Sequence, residues 1–436
     1  MPNSELTKYN YDKMEKSFKK EKLHDVVSRT IVNNGIRNSA KDNHVNDRLS
    51  GSFSVELDTG RVSDQKASGR CWLFSLLNVL KHDFAKKYDV KDFELSQSYL
   101  FFWDKVERAN IYYDRILETA QLPTDDRLLT EYLAYPGEDG GEWGMAVALV
   151  KKYGVMPTSA FPESNVTNNT RDLDEVLNLK LRRDGLTLRK MVHAKASDEE
   201  IKATRKKMLA EIYRIAGYAC GVPRETFDFE YRDDKKKYHL DKNLTPQQFY
   251  AKYFDVELDD YIQLSNYPDK AMNKVYNMSF ADNVVGGPHV HFLNMPMEVL
   301  KDAAIKQLKA GQAVWFGNDV ATQSNSKEGL LDANLYHYDE LFDVDLSMTK
   351  QERFKYHQAV PSHAMTLTGV DLVDDKSTKW KVENSWGEKV GEKGYFKMSD
   401  SWMDEYVYEV IVNKKYLSES NQKLLDQTPI ELQPWE

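Results

Sequence analysis

Gln65-Lys66-Ala67-Ser68-Gly69-Arg70-Cys71-Trp72 leads directly into Leu73-Phe74-Ser75-Leu76-Leu77-Asn78-Val79-Leu80, which is apolar nearly all round and free of Gly and Pro. That length and composition favour a buried helix over a strand, so Cys71 stands where a helix begins. A thiol at a helix start lies in the positive end of the backbone dipole, which favours the thiolate, the nucleophilic species of cysteine hydrolases. A lone cysteine of this kind is ordinarily core. Two distant stretches change its meaning: Ser362-His363-Ala364-Met365, entering a β-type run, and Glu383-Asn384-Ser385-Trp386-Gly387.

Cysteine hydrolysis needs a thiolate, an imidazole sharing its proton, a group that orients the imidazole, and donors for the developing oxyanion. Cys71 is the candidate nucleophile, and His363 the base that later protonates the leaving amine. Asn384 is expected to accept a hydrogen bond from the imidazole. The Gln65 amide and the Cys71 backbone N–H are the candidate oxyanion donors, with Trp386 shielding the His–Asn pair from water. Singly, each is an ordinary residue. A Gln six before a Cys, a His at a strand start and an Asn-Ser-Trp-Gly 21 residues later form a specific combination.

The 436 residues allow two or three domains, or one enlarged core carrying insertions. With 41% hydrophobic, 30% charged and 12% aromatic residues, the chain reads as a globular protein with aromatic-lined cores. A net charge of −9 gives no support to nucleic-acid binding. The basic runs at Lys19–Lys22 and Lys235–Lys237 have acidic neighbours and read as solvated surface. No apolar run approaches the ~20 residues of a membrane span, and the polar start lacks a signal-peptide core. A cytoplasmic protein is expected. Cys71 and Cys220, the only cysteines, are expected to be free thiols, with Cys220 a buried structural one.

The expected organisation is a lead segment over 1–60, with an amphipathic helix from Tyr11 to Leu23. A helical lobe carrying Cys71 follows over 61–160, with helices at Ser96–Asn110 and Trp143–Tyr153, the latter closed by Gly154. An inserted helical module is expected over 161–285, with charged helices from Asp172 to His193 and from Ser197 to Ala219. The second has a capping-box start. A β-rich lobe with His363 and Asn384 occupies 286–415, and an arm 416–436. The fold class is α+β.

Gln-x5-Cys-Trp, the His ahead of a β-run and Asn-Ser-Trp-Gly resemble the papain-like cysteine peptidases. More narrowly, Gln65 to Phe74, Asp139-Gly140-Gly141-Glu142-Trp143, Val314 to Asp319 and Ser362 to Met365 resemble the bleomycin hydrolase and aminopeptidase C family, over nearly the whole chain. The resemblance implies a papain-like two-lobed fold, a helical lobe plus a β-barrel-like lobe, with a large helical insertion. It also implies a homohexamer whose sites face an inner cavity, peptide substrates, and no cofactor or metal. Where secreted relatives carry a disulfide-forming cysteine, this chain has Ser68-Gly69-Arg70-Cys71, which suits a reducing compartment. Gly140 and Gly141 match the glycine pair that approaches extended substrate, although a plain loop turn explains them equally well.

In this family the C-terminal arm of aminopeptidases blocks the non-primed side of the cleft. Ending at Gln433-Pro434-Trp435-Glu436, the arm here reads as short. The expected activity is therefore oligopeptidase or endopeptidase cleavage through a Cys71 acyl-enzyme, with aminopeptidase activity as the alternative. A transglutaminase-like acyl transferase is a more remote rival, since such enzymes usually orient His with Asp. His289-Val290-His291 places two imidazoles on one strand face, but without a third ligand nearby no metal site is assigned.

Overall fold

The structure is a computed structural model that describes residues 6–436. Its organising element is the helix Cys71–Tyr88, buried on nearly every side from Trp72 to Phe84 and closed by Asp89 in the left-handed region. A helix with no polar face needs cover all round. Gln97–Glu118 and Trp143–Tyr153 supply it on one flank, and the sheet strand His363–Val373 on another. Ser96 caps the former by accepting from the Tyr99 N–H.

The helices Arg171–His193 and Asp198–Cys220 pack onto Gln97–Glu118. Leu173, Leu177, Leu181 and Leu188 recur at helical spacing and join the same core as Trp72 and Leu76. Each buried leucine contributes about 1.5–3 kcal/mol. The expected capping box forms: Ser197 Oγ accepts from the Glu200 N–H, and Glu200 accepts from the Ser197 N–H.

The second lobe is built on a 12-stranded sheet. Val314–Asn318 lies between Val407–Asn413 and His363–Val373, and the sheet continues through Lys376–Glu383 to Tyr395–Ser399. Phe316, Met365, Leu367, Trp380 and Trp402 fill a core separate from that of the helical lobe. His363–Val373 and Lys376–Glu383 form a hairpin through Asp374 and Asp375, both at positive φ, as a tight two-residue turn demands. The strand out and back is why Asn384 lies 21 residues after His363 yet returns beside it.

The 161–285 stretch is not helical throughout. Phe227–Arg232 and Tyr238–Leu244 form a hairpin, and Tyr261–Ser265 and Lys274–Asn277 belong to the main sheet. Phe227 and Phe229 point into the aromatic core while Asp228 and Glu230 face out, the two-residue period of a strand. The lead segment's first helix is Lys8–Phe18, and a second, His24–Asn34, follows.

Candidate active site

Cys71 opens its helix with part of its surface still accessible. The turn before it is held by buried charge. Arg70, with 0% exposure, donates to Ser68 Oγ (3.0 Å), Glu163 (3.0 Å) and the Thr167 carbonyl (2.7 Å). The Gly69 N–H donates to Asp139 at 2.8 Å. Asp139 also accepts from Lys105 Nζ (2.8 Å) and Thr170 Oγ1 (2.6 Å); although it is buried, Lys105 brings its carboxyl down to about 2. None of these supports was read from the sequence. Their partners come from four separate segments, and of these only Ser68 and Asp139 lie within a recognisable motif.

The helix start is sewn to the strand that carries His363. Ser75 Oγ donates to the Met365 carbonyl at 2.6 Å, and Trp315 Nε1 donates to the Trp72 carbonyl at 3.3 Å. The backbone N–H groups of Ala364, Trp72 and Cys71 all bear on the sulfur and favour its anion. The tertiary fold thus brings Cys71 to the residue next to His363.

Asn384 is fully buried, and its Oδ1 lies 2.8 Å from His363 Nε2. Since the Ser385 N–H also donates to Oδ1 at 2.8 Å, that atom is the acceptor and Nε2 carries the hydrogen. Nδ1 on the other side of the ring has no hydrogen bond among the described residues. The Trp386 ring lies 4.8 Å from the imidazole, centroid to centroid, and against Phe396 behind it.

Burial pushes the Cys71 thiol up to about 11, against the pull of the three backbone N–H groups, and Glu142 adds to the rise. Burial also pushes His363 down to about 4, against the opposing effect of Asn384. For Cys71 taken alone, desolvation outweighs the pull of the helix start and of the backbone N–H groups. Proton transfer between the two groups leaves the net charge of the site unchanged, and this burial penalises it least.

Gln65 sits between the lobes. Its Nε2 donates to the Ser68 carbonyl (2.6 Å), its Oε1 accepts from Ser385 Oγ (2.5 Å), and its N–H donates to the Ser385 carbonyl (2.7 Å). One amide hydrogen is thus engaged within the loop and the second remains. Residues 63–65 and 385–387 run as a strap, with Asp64 bridged to Trp386 and the Gly387 N–H donating to Ser63. Beneath Asn384, buried Glu383 accepts from Lys81 Nζ (3.1 Å) and pairs with His82 Nε2 (2.5 Å); against its own burial, Lys81 first and then His82 bring its carboxyl down to about 2.

Gly140 has φ +91° and open space where a side chain would be, and its N–H donates to the Gly69 carbonyl at 3.0 Å. A Cβ on Gly141 would lie 2.8 Å from the Trp72 indole. The two glycines are therefore required by a left-handed turn and by Trp72, besides any substrate. Gly141 keeps its backbone N–H and C=O free of backbone partners among the described residues. His289 Nδ1 pairs with Asp282 at 2.6 Å and His291 Nδ1 with the His289 carbonyl, and neither lies near Cys71 in the sequence or in these contacts.

Comparison with known proteins agrees with this geometry. The model of the Peptidase C1-like family matches residues 5–436. Aminopeptidase G of Lactobacillus delbrueckii subsp. lactis is 51% identical over 433 residues, covering 99% of each chain. Aminopeptidase C of the same organism is 44% identical over 422 residues, covering 96% of this chain and 94% of its own. The crystal structure of PepW from Lactobacillus rhamnosis HN001 superposes with a TM-score of 0.97 at 48% identity, over 99% of this chain and 98% of that one. With its papain-like fold, this chain belongs to the Peptidase C1-like family and is a cysteine-type peptidase.

Proposed function

We propose that this peptidase removes residues from the free N-termini of short peptides. Cys71 passes its proton to His363, and its sulfur attacks the carbonyl of the scissile bond. The oxyanion is taken up by the Cys71 N–H and the remaining amide hydrogen of Gln65. His363 then gives the proton to the leaving amine, and with the same nitrogen as base activates the water that hydrolyses the acyl-enzyme. Asn384 fixes the ring through Nε2, Trp386 keeps water from that bond, and the Gly140–Gly141 backbone lines the extended substrate. No cofactor enters the scheme.

The observation that carries the N-terminal choice is the course of the arm. Ile430–Glu431 pairs in parallel with Tyr276–Asn277, and Glu431 accepts from the Ser279 N–H at 3.2 Å. Trp435 lies under the Arg127 guanidinium at 4.3 Å, and Lys270 Nζ donates to a Glu436 backbone oxygen at 2.9 Å. Arg115 ties the Ser279 and Asp282 carbonyls to the helix that also carries Asp104 and Arg108. Arg108 in turn reaches the Gly140 carbonyl. This relay of contacts from the arm through Arg115 and Arg108 to the Gly140 carbonyl supports an arm that closes the side a longer acyl chain would occupy. That, and the name aminopeptidase borne by the relatives G and C, favours N-terminal cleavage over the internal cleavage expected from a short arm.

The test is hydrolysis of a free-amine peptide beside its N-acetylated twin. Cleavage of the free amine alone supports the proposal, and deleting 430–436 is then expected to admit the acetylated peptide. Equal internal cleavage of both by the intact chain overturns it in favour of an endopeptidase. We also propose a cytoplasmic homohexamer. The lead helices support assembly by exposing Tyr9, Tyr11, Met14, Phe18 and Val32 with no buried residue of their own, and sedimentation velocity measures it. No helix among the described residues is long and apolar enough to cross a membrane.

A further inference from the structure

Two carboxylates, one of them acting on the nucleophile, form no ion pair among the described residues. Glu142 follows Gly141 at the start of the helix Trp143–Tyr153, and it bears electrostatically on Cys71. Glu409, 4% exposed, lies opposite Gly317 and Ser265 in the sheet and takes a hydrogen bond from Gln263 Nε2 on one oxygen. Its other oxygen fills the space of the absent Gly317 side chain, where a Cβ would come within 2.1 Å of it. Gly317, opposite Glu409, pairs on its other side with Ala364, the neighbour of His363, and Trp143, next to Glu142, packs 6.3 Å from Trp315 on the same strand, so the two glutamates, which also bear on each other electrostatically, approach one region.

A second, independent feature marks the same place. Ser265 is directly opposite Glu409 across the strand pair, so both side chains project from one sheet face. Its hydroxyl is 0% exposed and has no hydrogen-bond partner. Buried carboxylates are ordinarily paired with cations, and buried hydroxyls are ordinarily bonded. Here buried Glu409 and half-buried Glu142, whose side chain accepts the Met145 N–H, have no cation paired to them, and the Ser265 hydroxyl beside Glu409 has no partner among the described residues.

We propose that Glu142 and Glu409 form a subsite that takes a cationic group of the bound peptide on the acyl side of the scissile bond, an ammonium or a guanidinium. This rests on the peptidase reading above. The cation has two possible sources, the free α-ammonium of the peptide or a Lys or Arg side chain. A cation there would also offset the charge of Glu142 that opposes ionisation of Cys71, so it favours turnover as well as binding. Burial accounts for raised pKa values at both glutamates, to about 7 for Glu142, and a bound cation reverses that preference for the neutral acids.

The test compares kcat/KM ratios in the intact protein and in Glu142→Gln and Glu409→Gln. One arm pairs lysyl with norleucyl coumarylamides, both with a free α-amine. The other pairs free-amine with N-acetylated single-residue coumarylamides in the protein lacking 430–436, alone and with each glutamate replaced, so that the tail does not exclude the acetyl group. The expected result is a preference of about 10-fold or more for the cation in at least one arm, falling towards unity in both variants. The arm that responds identifies the source. Ratios depend only on the folded fraction that both substrates share, so a poorly folding variant still reports. The same peptides are titrated calorimetrically into Cys71→Ala, which reads the subsite without turnover. Cationic peptides binding no better than neutral ones, or preferences untouched by both variants, overturn the subsite. Loss of hydrolysis with every substrate, while cation-selective binding persists, overturns the peptidase reading alone.

Discussion

Replacing Asn384 with Ala isolates the part of the site that orients without reacting. Asn384 Oδ1 accepts two buried hydrogen bonds, from His363 Nε2 and from the Ser385 N–H. The substitution leaves both donors unpaired in a place that water does not reach, and each costs about 1–3 kcal/mol. Only the His363 bond strengthens as the ring becomes an imidazolium, so only that share is lost from the transition state. At 1.36 kcal/mol per tenfold, kcat/KM falls by about 5- to 150-fold. The Ser385 share appears instead as a lower melting temperature. Accepting from Nε2–H favours the protonated ring, so removing the acceptor lowers the His363 pKa further from about 4. The acid limb of the pH profile therefore moves to lower pH. Steady-state hydrolysis of an aminoacyl coumarylamide from pH 3 to 8, beside thermal melting, measures both. If kcat/KM stays within about twofold and the acid limb does not move, Asn384 is not the orienting group.

Cys71→Ser is expected to lose at least about 10³-fold in kcat while keeping its circular dichroism and melting temperature; turnover near that of the intact protein refutes the nucleophile. Glu383, with its carboxyl lowered to about 2, stabilises the fold fully above the unfolded value near 4.3. That stability is lost as pH falls from there through 2, so Glu383→Gln should flatten acid unfolding in this window. At neutral pH it should cost about 3–5 kcal/mol, because Lys81 is left buried and unpaired. Denaturant melts at pH 7 and pH 3 measure both effects, and equal losses at the two pH values would refute the assignment. Gly141→Ala sets a methyl 2.8 Å from the Trp72 indole and should destabilise by about 1–3 kcal/mol. An unchanged melting temperature would show that the glycine serves substrate alone.

Local chemistry made much of this protein legible. The helix at Cys71, the capping box at Ser197 and the helix Trp143–Tyr153 closed by Gly154 follow from periodicity and end signals, which act over a few residues. Cys71, His363, Asn384 and Gln65 could be named because their order and spacing are distinctive, and the tight turn at Asp374–Asp375 explains one of those spacings. Contacts between distant segments were beyond reach. Nothing near Arg70 announces Glu163 or Thr167, and nothing near Glu383 announces Lys81 and His82. The strands in 261–277 are short and gain their stability from neighbours far along the chain, so no local pattern identifies them.

The sequence by itself determined which residues are capable of the chemistry, since nucleophile, base and acceptor are properties of side chains. Only the tertiary structure decided their protonation and what surrounds them. Burial is set by the whole chain: it raises the Cys71 thiol and lowers His363 against local effects, and it encloses Glu409 in the sheet with no basic side chain among the described residues paired to it. The course of the arm was likewise a tertiary matter, because its hydrogen bonds to residues 270–279 depend on how the sheet is assembled, not on the composition of the tail.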